Sequence, residues 1–218
     1  MGAQQHAGHD QSLPVSPAMR QNAKVAFKSF PMPRIDLPLI AGPYDECFVD
    51  TIADIHTLSW QHAYAGLLPA DYLMHQAPAE RRVTWRARLL EGADGPLEIS
   101  LGRVDGAPAG FSCLRPASEP EYGVYLDNLH VLPAFQGCGL GKRLLAQCAA
   151  RAIESWPGRP LYLYVLDGNT QAREFYRRIG GNESAPFTDT FPGANVILPV
   201  RRVTWTDLPA LIARLAPH

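Results

Sequence analysis

The chain has 218 residues, 46% of them hydrophobic and 19% charged, with a formal net charge of -1. That balance describes a soluble globular chain able to build one ordinary core, and it excludes an electrostatic footprint for nucleic acid or an anionic membrane. No apolar run approaches the roughly 20 residues needed to cross a bilayer.

Residues 1–32 are rich in Gln, Ala, Ser and Pro, show little periodicity, and read as a flexible N-terminal arm. Met1 to Asp10 is polar and lacks an apolar signal core, so a cytoplasmic protein is expected. Gly2 opens like a myristoylation site, but His6 stands where Ser or Thr is required. A strand is predicted from Arg34 to Ile40, bounded by Gly42-Pro43. From Tyr44 to Leu67, Phe48, Ile52, Ile55 and Leu58 recur at helical spacing, and Gly66 and Pro69 then punctuate the chain. A second helical region carries Tyr72, Leu73, Val83, Trp85, Leu89 and Leu90, with a break at Pro78 and an end at Gly92.

Strands are predicted from Leu97 to Val104 and Ala107 to Leu114, joined by Asp105-Gly106, a hairpin signal. The strand Tyr122 to Val131 leads through Pro133 into a loop of alternating glycines, Gly137, Gly139 and Gly141. A helix follows, with Leu140, Leu144, Leu145, Cys148, Ala149 and Ala152 on one stripe. Leu161 to Leu166 is a strand, Asp167-Gly168-Asn169 starts a helix to Ile179, and Gly180-Gly181 stops it. A closing hairpin spans 182–190 and 195–205 and turns at Pro192-Gly193. The domain thus covers residues 33–206, and 207–218 form a short C-terminal tail with helical character. This order of elements predicts a mixed α/β (α+β) layout around one sheet, not the uniform βαβ alternation of a dinucleotide-binding fold.

The four cysteines, Cys47, Cys113, Cys138 and Cys148, form no C-x-x-C pair, and the seven histidines form no H-x-x-x-H pair. No metal site is expected. The glycine loop before a helix is an anion cradle, because bare backbone N–H groups and the positive helix end converge there. It is not a Walker loop: Gly141-Lys142 is followed by Arg143, and Gln136 holds the place of the first glycine. It is not a dinucleotide fingerprint either, since Leu144 or Lys142 occupies the third glycine position.

The pattern Gln136-x-x-Gly139-x-Gly141 resembles the pyrophosphate loop of the GNAT superfamily of acetyl-CoA-dependent N-acetyltransferases. The preceding Asp127-Asn128-Leu129-His130-Val131-Leu132-Pro133 resembles that superfamily's fourth strand. Leu163-x-Val165-x-x-x-Asn169-x-x-Ala172-x-x-Phe175-Tyr176-x-x-x-Gly180 resembles its second signature, and Ser59-Trp60-Gln61-His62-Ala63-Tyr64 through Pro69 resembles its first helix. The resemblance covers about residues 34 to 206. It implies a sheet of about seven strands flanked by helices, with the fourth and fifth strands splayed around the pantetheine arm of acetyl-CoA.

By that resemblance, backbone groups of Leu129 and Val131 hold the pantetheine and supply an oxyanion donor. Gln136, Gly137, Cys138, Gly139, Leu140, Gly141 and Lys142 form the pyrophosphate loop, with Cys138 where a basic residue is usual. Lys142, Arg143, Arg173 and Arg177 are candidates for the adenosine 3'-phosphate, or a solvated basic face. Asn169 contacts the pantetheine region, or simply caps a helix. Tyr176 is the general acid for the thiolate, or a core aromatic on a helical stripe. Many members carry a glutamate base where Tyr125 stands. Asp127, sharing a face with Tyr125, is the first candidate base, and His130, on the opposite face, the second. Trp60, His62 and Tyr64 are candidates for the acceptor pocket.

The resemblance implies direct acetyl transfer to a primary amine of a small molecule or peptide in a ternary complex. The alternative is a catalytically silent acyl-CoA-binding sensor. The closing hairpin, Asn182 to Trp205, offers an edge for a homodimer.

Overall fold

The computed structural model describes residues 33–115 and 119–216; the arm expected over residues 1–32 lies outside the described residues. In chain order the elements are β1 (Ile35–Asp36), β2 (Leu39–Ile40), α1 (Glu46–Ala63), α2 (Ala77–Leu90), β3 (Glu98–Val104), β4 (Ala107–Arg115) and β5 (Val124–Val131). Then come α3 (Leu140–Ser155), β6 (Leu161–Leu166), α4 (Thr170–Arg178), β7 (Asn182–Glu183), β8 (Phe187–Phe191), β9 (Val196–Trp205) and α5 (Leu208–Leu215).

The strands form one mixed sheet in the order β1-β3-β4-β5-β6-β9-β7, with β2 also on β3 and β8 also on β9. Every pairing is antiparallel except β5 with β6. The expected first strand is split in two because Pro38 has no N–H to donate; its carbonyl still accepts from Leu101. The fourth and fifth strands of the resemblance are therefore β5 and β6. The β3–β4 turn places both Asp105 (φ 50°) and Gly106 (φ 84°) in the left-handed region, as a twisted two-residue hairpin requires.

The second helical region differs from expectation. A π-helical stretch, Tyr72–Gln76, runs straight into α2, and Pro78 lies in the first turn of α2. Helical geometry is continuous from residue 70 through α2. The π turn bonds the Ala77 N–H to the Tyr72 carbonyl, and the next carbonyl, Leu73, which Pro78 cannot serve, accepts from Gln61 Nε2 at 3.0 Å. The proline is thus absorbed and does not break the helix.

Helices cover the two faces of the sheet with separate cores. Under α1 and α2 lie Ile52, Ile55, Trp85, Ile99, Leu101, Phe111 and Cys113. On the other side, Leu145 and Cys148 of α3, Leu161 and Leu163 of β6, and Leu208, Leu211 and Leu215 of α5 pack together. Gly102 and Gly110 make room for Leu140: a Cβ at Gly102 would lie 2.7 Å from Leu140 Cδ1. Burying Leu140 there stabilises the fold by roughly 1.5–3 kcal/mol and fixes where α3, and hence the glycine loop, begins.

Candidate active site between the splayed strands

Parallel strands stay paired only while their backbones stay in reach. β5 and β6 pair at Val124↔Leu161 and Tyr125↔Tyr162 and then diverge. The gap forms a cavity of about 770 Å³ that reaches both faces of the sheet. On its β5 edge, Leu132 donates its N–H to Ala109 of β4 at 2.8 Å. Alternation along the strand then turns the backbone groups of Val131 and Leu129 toward the gap. The Val131 carbonyl accepts from Gln136 Nε2 at 3.4 Å, and no β6 group pairs with this stretch, so an extended ligand can lie in place of a strand.

One end of the cavity is made from backbone. Gly137 (φ 81°) and Gly139 (φ 89°) adopt the left-handed conformation, and Gly139 caps α3. The first N–H groups of α3, at Leu140, Gly141 and Lys142, have no intrahelical acceptor, so they and the dipole present a positive end. Gln136, Gly137, Gly139, Leu140, Gly141 and Lys142 all line the cavity. Cys138 is not among its lining residues; its thiol donates to the Phe135 carbonyl at 3.0 Å and braces the loop. Arg173 is tied to Asp167 and Glu183, each at 3.0 Å. This arginine is committed to the fold, unlike the exposed Lys142 and Arg143.

The β6 side contributes Asn169 and Tyr176 from the start and body of α4. Asn169 Oδ1 accepts from the Ala172 N–H at 3.2 Å, so it caps the helix while its Nδ2 remains a donor beside the cavity. Tyr176 packs edge-on against Trp205 with ring centroids 5.7 Å apart, yet it also lines the gap. Burial, then the neighbouring Tyr64, raises its hydroxyl pKa well above the usual value, so it keeps its proton at neutral pH. Burial likewise pushes Tyr64 up to about 12. Trp60, His62 and Tyr64 of the α1 end also line the cavity.

A bulge changes the expected geometry of the candidate bases. Cys113 pairs with Asn128, but Leu114 pairs with Leu126, which leaves Asp127 as the extra residue of β5. Such an insertion shifts the side-chain alternation by one. The expectation that Asp127 and His130 face opposite ways is therefore corrected. Asp127 meets Arg88 of α2 at 2.7 Å, and His130 stacks on His56 of α1 with ring centroids 4.5 Å apart. Both lie on the face covered by α1 and α2.

They are also connected. Arg88 donates to Asp127 Oδ2, Asn128 Nδ2 donates to the same oxygen at 2.6 Å, and Asn128 Oδ1 lies 3.3 Å from His130 Nε2. An amide oxygen only accepts, so this contact assigns the proton to Nε2 and leaves a lone pair on Nδ1. Burial and then the charge of Arg81 hold the His130 pKa down at about 3, so the ring is neutral at physiological pH. His56 is lowered as well, first by burial; its Nδ1 accepts from the Trp85 indole at 3.0 Å. Tyr125, at the position of the usual glutamate, stacks on Tyr162 at 5.0 Å.

The sequence alone did not single out His56, Arg81 or Arg88, and Ser59 and Asn128 stood there only as members of family-like motifs with no role of their own. His56, Ser59 and Trp60 stand at i, i+3 and i+4 of one helix, so the stripe was visible in principle. The arginines were not, because they reach β5 and α1 only through packing.

The sequence profile described as the acetyltransferase (GNAT) family matches residues 53–181, more than half of the chain. A Mycobacterium tuberculosis protein named "Probable N-acetyltransferase Rv2775" is 24% identical over 127 residues, covering 58% of this chain and 70% of the relative. The ribosomal protein bS18-alanine N-acetyltransferase of Haemophilus influenzae is 30% identical over 102 residues, covering 46% of this chain and 66% of its own length. Among solved structures, PaiA N-acetyltransferase from Thermoplasma acidophilum in complex with coenzyme A has a TM-score of 0.60 at 16% identity, covering 79% of this chain and 99% of that one. YncA of Salmonella typhimurium, solved with its cofactor acetyl-CoA, has a TM-score of 0.55 at 16% identity, covering 85% and 96%. At these identities the structural likeness is one of fold.

Proposed function

This chain belongs to the GNAT acetyltransferase family, and on that premise we propose that it moves an acetyl group from acetyl-CoA directly to a primary amine of a small molecule or peptide. The observation that carries the reading is the gap between β5 and β6, which joins the glycine cradle to Tyr176 and His130 in one cavity. A long, thin donor with a diphosphate at one end and a thioester at the other suits that shape. The amides of Gly137, Gly139, Gly141 and Lys142 would hold the diphosphate. Leu129 and Val131 would pair with the pantetheine amides, and an N–H near Val131 would face the thioester oxygen as negative charge develops there.

Two side chains complete the assignment. Tyr176 keeps its proton at neutral pH and lies on the α4 side of the gap, placed to donate to the leaving thiolate. His130 carries its lone pair on Nδ1 and is the favoured acceptor for the amine's proton, directly or through water. Asp127, committed to Arg88 and Asn128, acts as a positioning residue through Asn128.

Thiol release from acetyl-CoA with a panel of primary amines tests the reading. Turnover that falls by about 10²-fold in Tyr176→Phe, with acetyl-CoA still bound, is the expected result. Binding without turnover, indifferent to that substitution, would make the protein an acyl-CoA sensor; Tyr125 in place of the glutamate is the feature that favours this second reading.

A further inference from the structure

Buried polar atoms without partners are rare in folded proteins, and several together call for an explanation. Three line the α1–α2 end of the cavity, where His56 and the Arg81 guanidinium both pack on Trp60. His56 Nε2, Ser59 Oγ and Arg81 Nε are buried and lack hydrogen-bond partners among the described residues. All three residues line the cavity. His56 and Ser59 are only 4% and 5% exposed, so solvent does not satisfy them. Each can donate: His56 accepts from Trp85 at Nδ1, which leaves the proton on Nε2, and Ser59 has a free hydroxyl.

The two arginines nearby differ in how their charge is met. Arg88 is held by Asp94 and Asp127, both at 2.7 Å. Among the described residues Arg81 has one carboxylate partner, Glu80, whose other oxygen accepts from Tyr72. The Arg81 side chain is 13% exposed while that of Glu80 is 37% exposed, so the cation sits deeper than its counter-ion. Its guanidinium lies over the Trp60 ring at 4.6 Å, which fixes the plane of the fork. A planar fork with spare donors, flanked by a hydroxyl and an imidazole N–H, matches an oxyanion better than any neutral group.

We propose that Arg81, His56 and Ser59 form an oxyanion subsite beside Trp60, so that the preferred acceptor is an amine that also carries a carboxylate or phosphate. The proposal rests on the acetyl-transfer reading and names the substrate class of that site. It has a chemical corollary. Arg81 is one of the groups that hold His130 neutral, so an anion bound at Arg81 would offset that charge and make His130 a better proton acceptor. Substrate lacking the anion would then lose turnover as well as affinity.

The test uses the full chain, acetyl-CoA and two matched pairs of acceptors: alanine against alaninamide for carboxylate, and O-phosphoethanolamine against ethanolamine for phosphate. In the wild type, kcat/KM is expected to favour the anionic member of at least one pair by about 10-fold or more; the pair that responds names the oxyanion. Arg81→Gln should bring that ratio near one, Arg81→Lys should leave it intermediate, and Ser59→Ala should lower it a few-fold. Calorimetric binding of acetyl-CoA shows whether each variant is folded; if Arg81→Gln is not, Arg81→Lys and Ser59→Ala decide. Equal turnover of both members of both pairs, or a preference that survives these substitutions, would overturn the subsite and leave acetyl transfer standing. Absence of thiol release with every amine would overturn both.

Discussion

The two ends of the cavity are built in different ways. The end we assign to the donor is backbone: left-handed glycines, free N–H groups at the start of α3 and the edge of β5 that β6 leaves unpaired. The end we assign to the acceptor is side chains, with Arg88 reaching Asp127 across 39 residues of sequence and Trp85 reaching His56 across 29. A backbone cradle recognises what every acetyl donor shares, and it tolerates changes in most of the side chains around it. A side-chain site depends on each contact, and so it can specialise. In a family that shares one donor, recognition is free to vary at the second end.

That contrast can be broken or sharpened by measurement. The largest expected effect is at the acceptor end: His130→Gln lowers kcat by about 10²-fold, whereas Asp127→Asn, which can keep its hydrogen bonds, lowers it by about 10-fold. Steady-state kinetics on both variants checks this, and the reverse order would make Asp127 the base.

A stability effect of up to about 2 kcal/mol should come next. The folded-state pKa of His130 is depressed from 6.5 to about 3, so below pH 6.5 the unfolded chain binds a proton that the folded one refuses. The stability this histidine allows is complete above pH 6.5 and is lost progressively as pH falls toward 3. Thermal melts at pH 7 and pH 5 should show the drop, and His130→Phe should reduce it without abolishing it, because burial also lowers the pKa of His56.

At the donor end, Gly139→Val places a β-branched residue at φ 89°. The strain of roughly 1–2 kcal/mol should weaken acetyl-CoA binding about 10-fold by calorimetry. Cys138→Ala should be the mildest change, less than about threefold in acetyl-CoA affinity, because the thiol braces Phe135 and leaves the cradle amides in place. A large loss there would mean that the donor end relies on side chains after all.

Much of the donor end is legible in the sequence. Gly137 and Gly139 mark it because their left-handed backbone is met cheaply only by glycine, and Asn169 and Tyr176 follow at helical spacing. The strand Leu161–Leu166 and the Asp105-Gly106 turn are equally plain, since alternation and turn chemistry are local. Pro78 misleads because a π turn before it and Gln61, which serves the Leu73 carbonyl, absorb its missing N–H, and neither is visible in the neighbouring residues. Strict alternation sets Asp127 and His130 on opposite faces, and the bulge that brings them to one face leaves no residue signature.

By itself, then, the sequence determined the donor: short-range demands on φ, helix starts and strand periodicity are written into neighbouring residues. Only the tertiary structure decided the side-chain end that we assign to the acceptor. The bulge at Asp127 depends on how β4 and β5 register, and Arg81 meets Trp60 only because α1 and α2 pack together. The buried, unpartnered donors of His56, Ser59 and Arg81 exist only after burial has removed water from them.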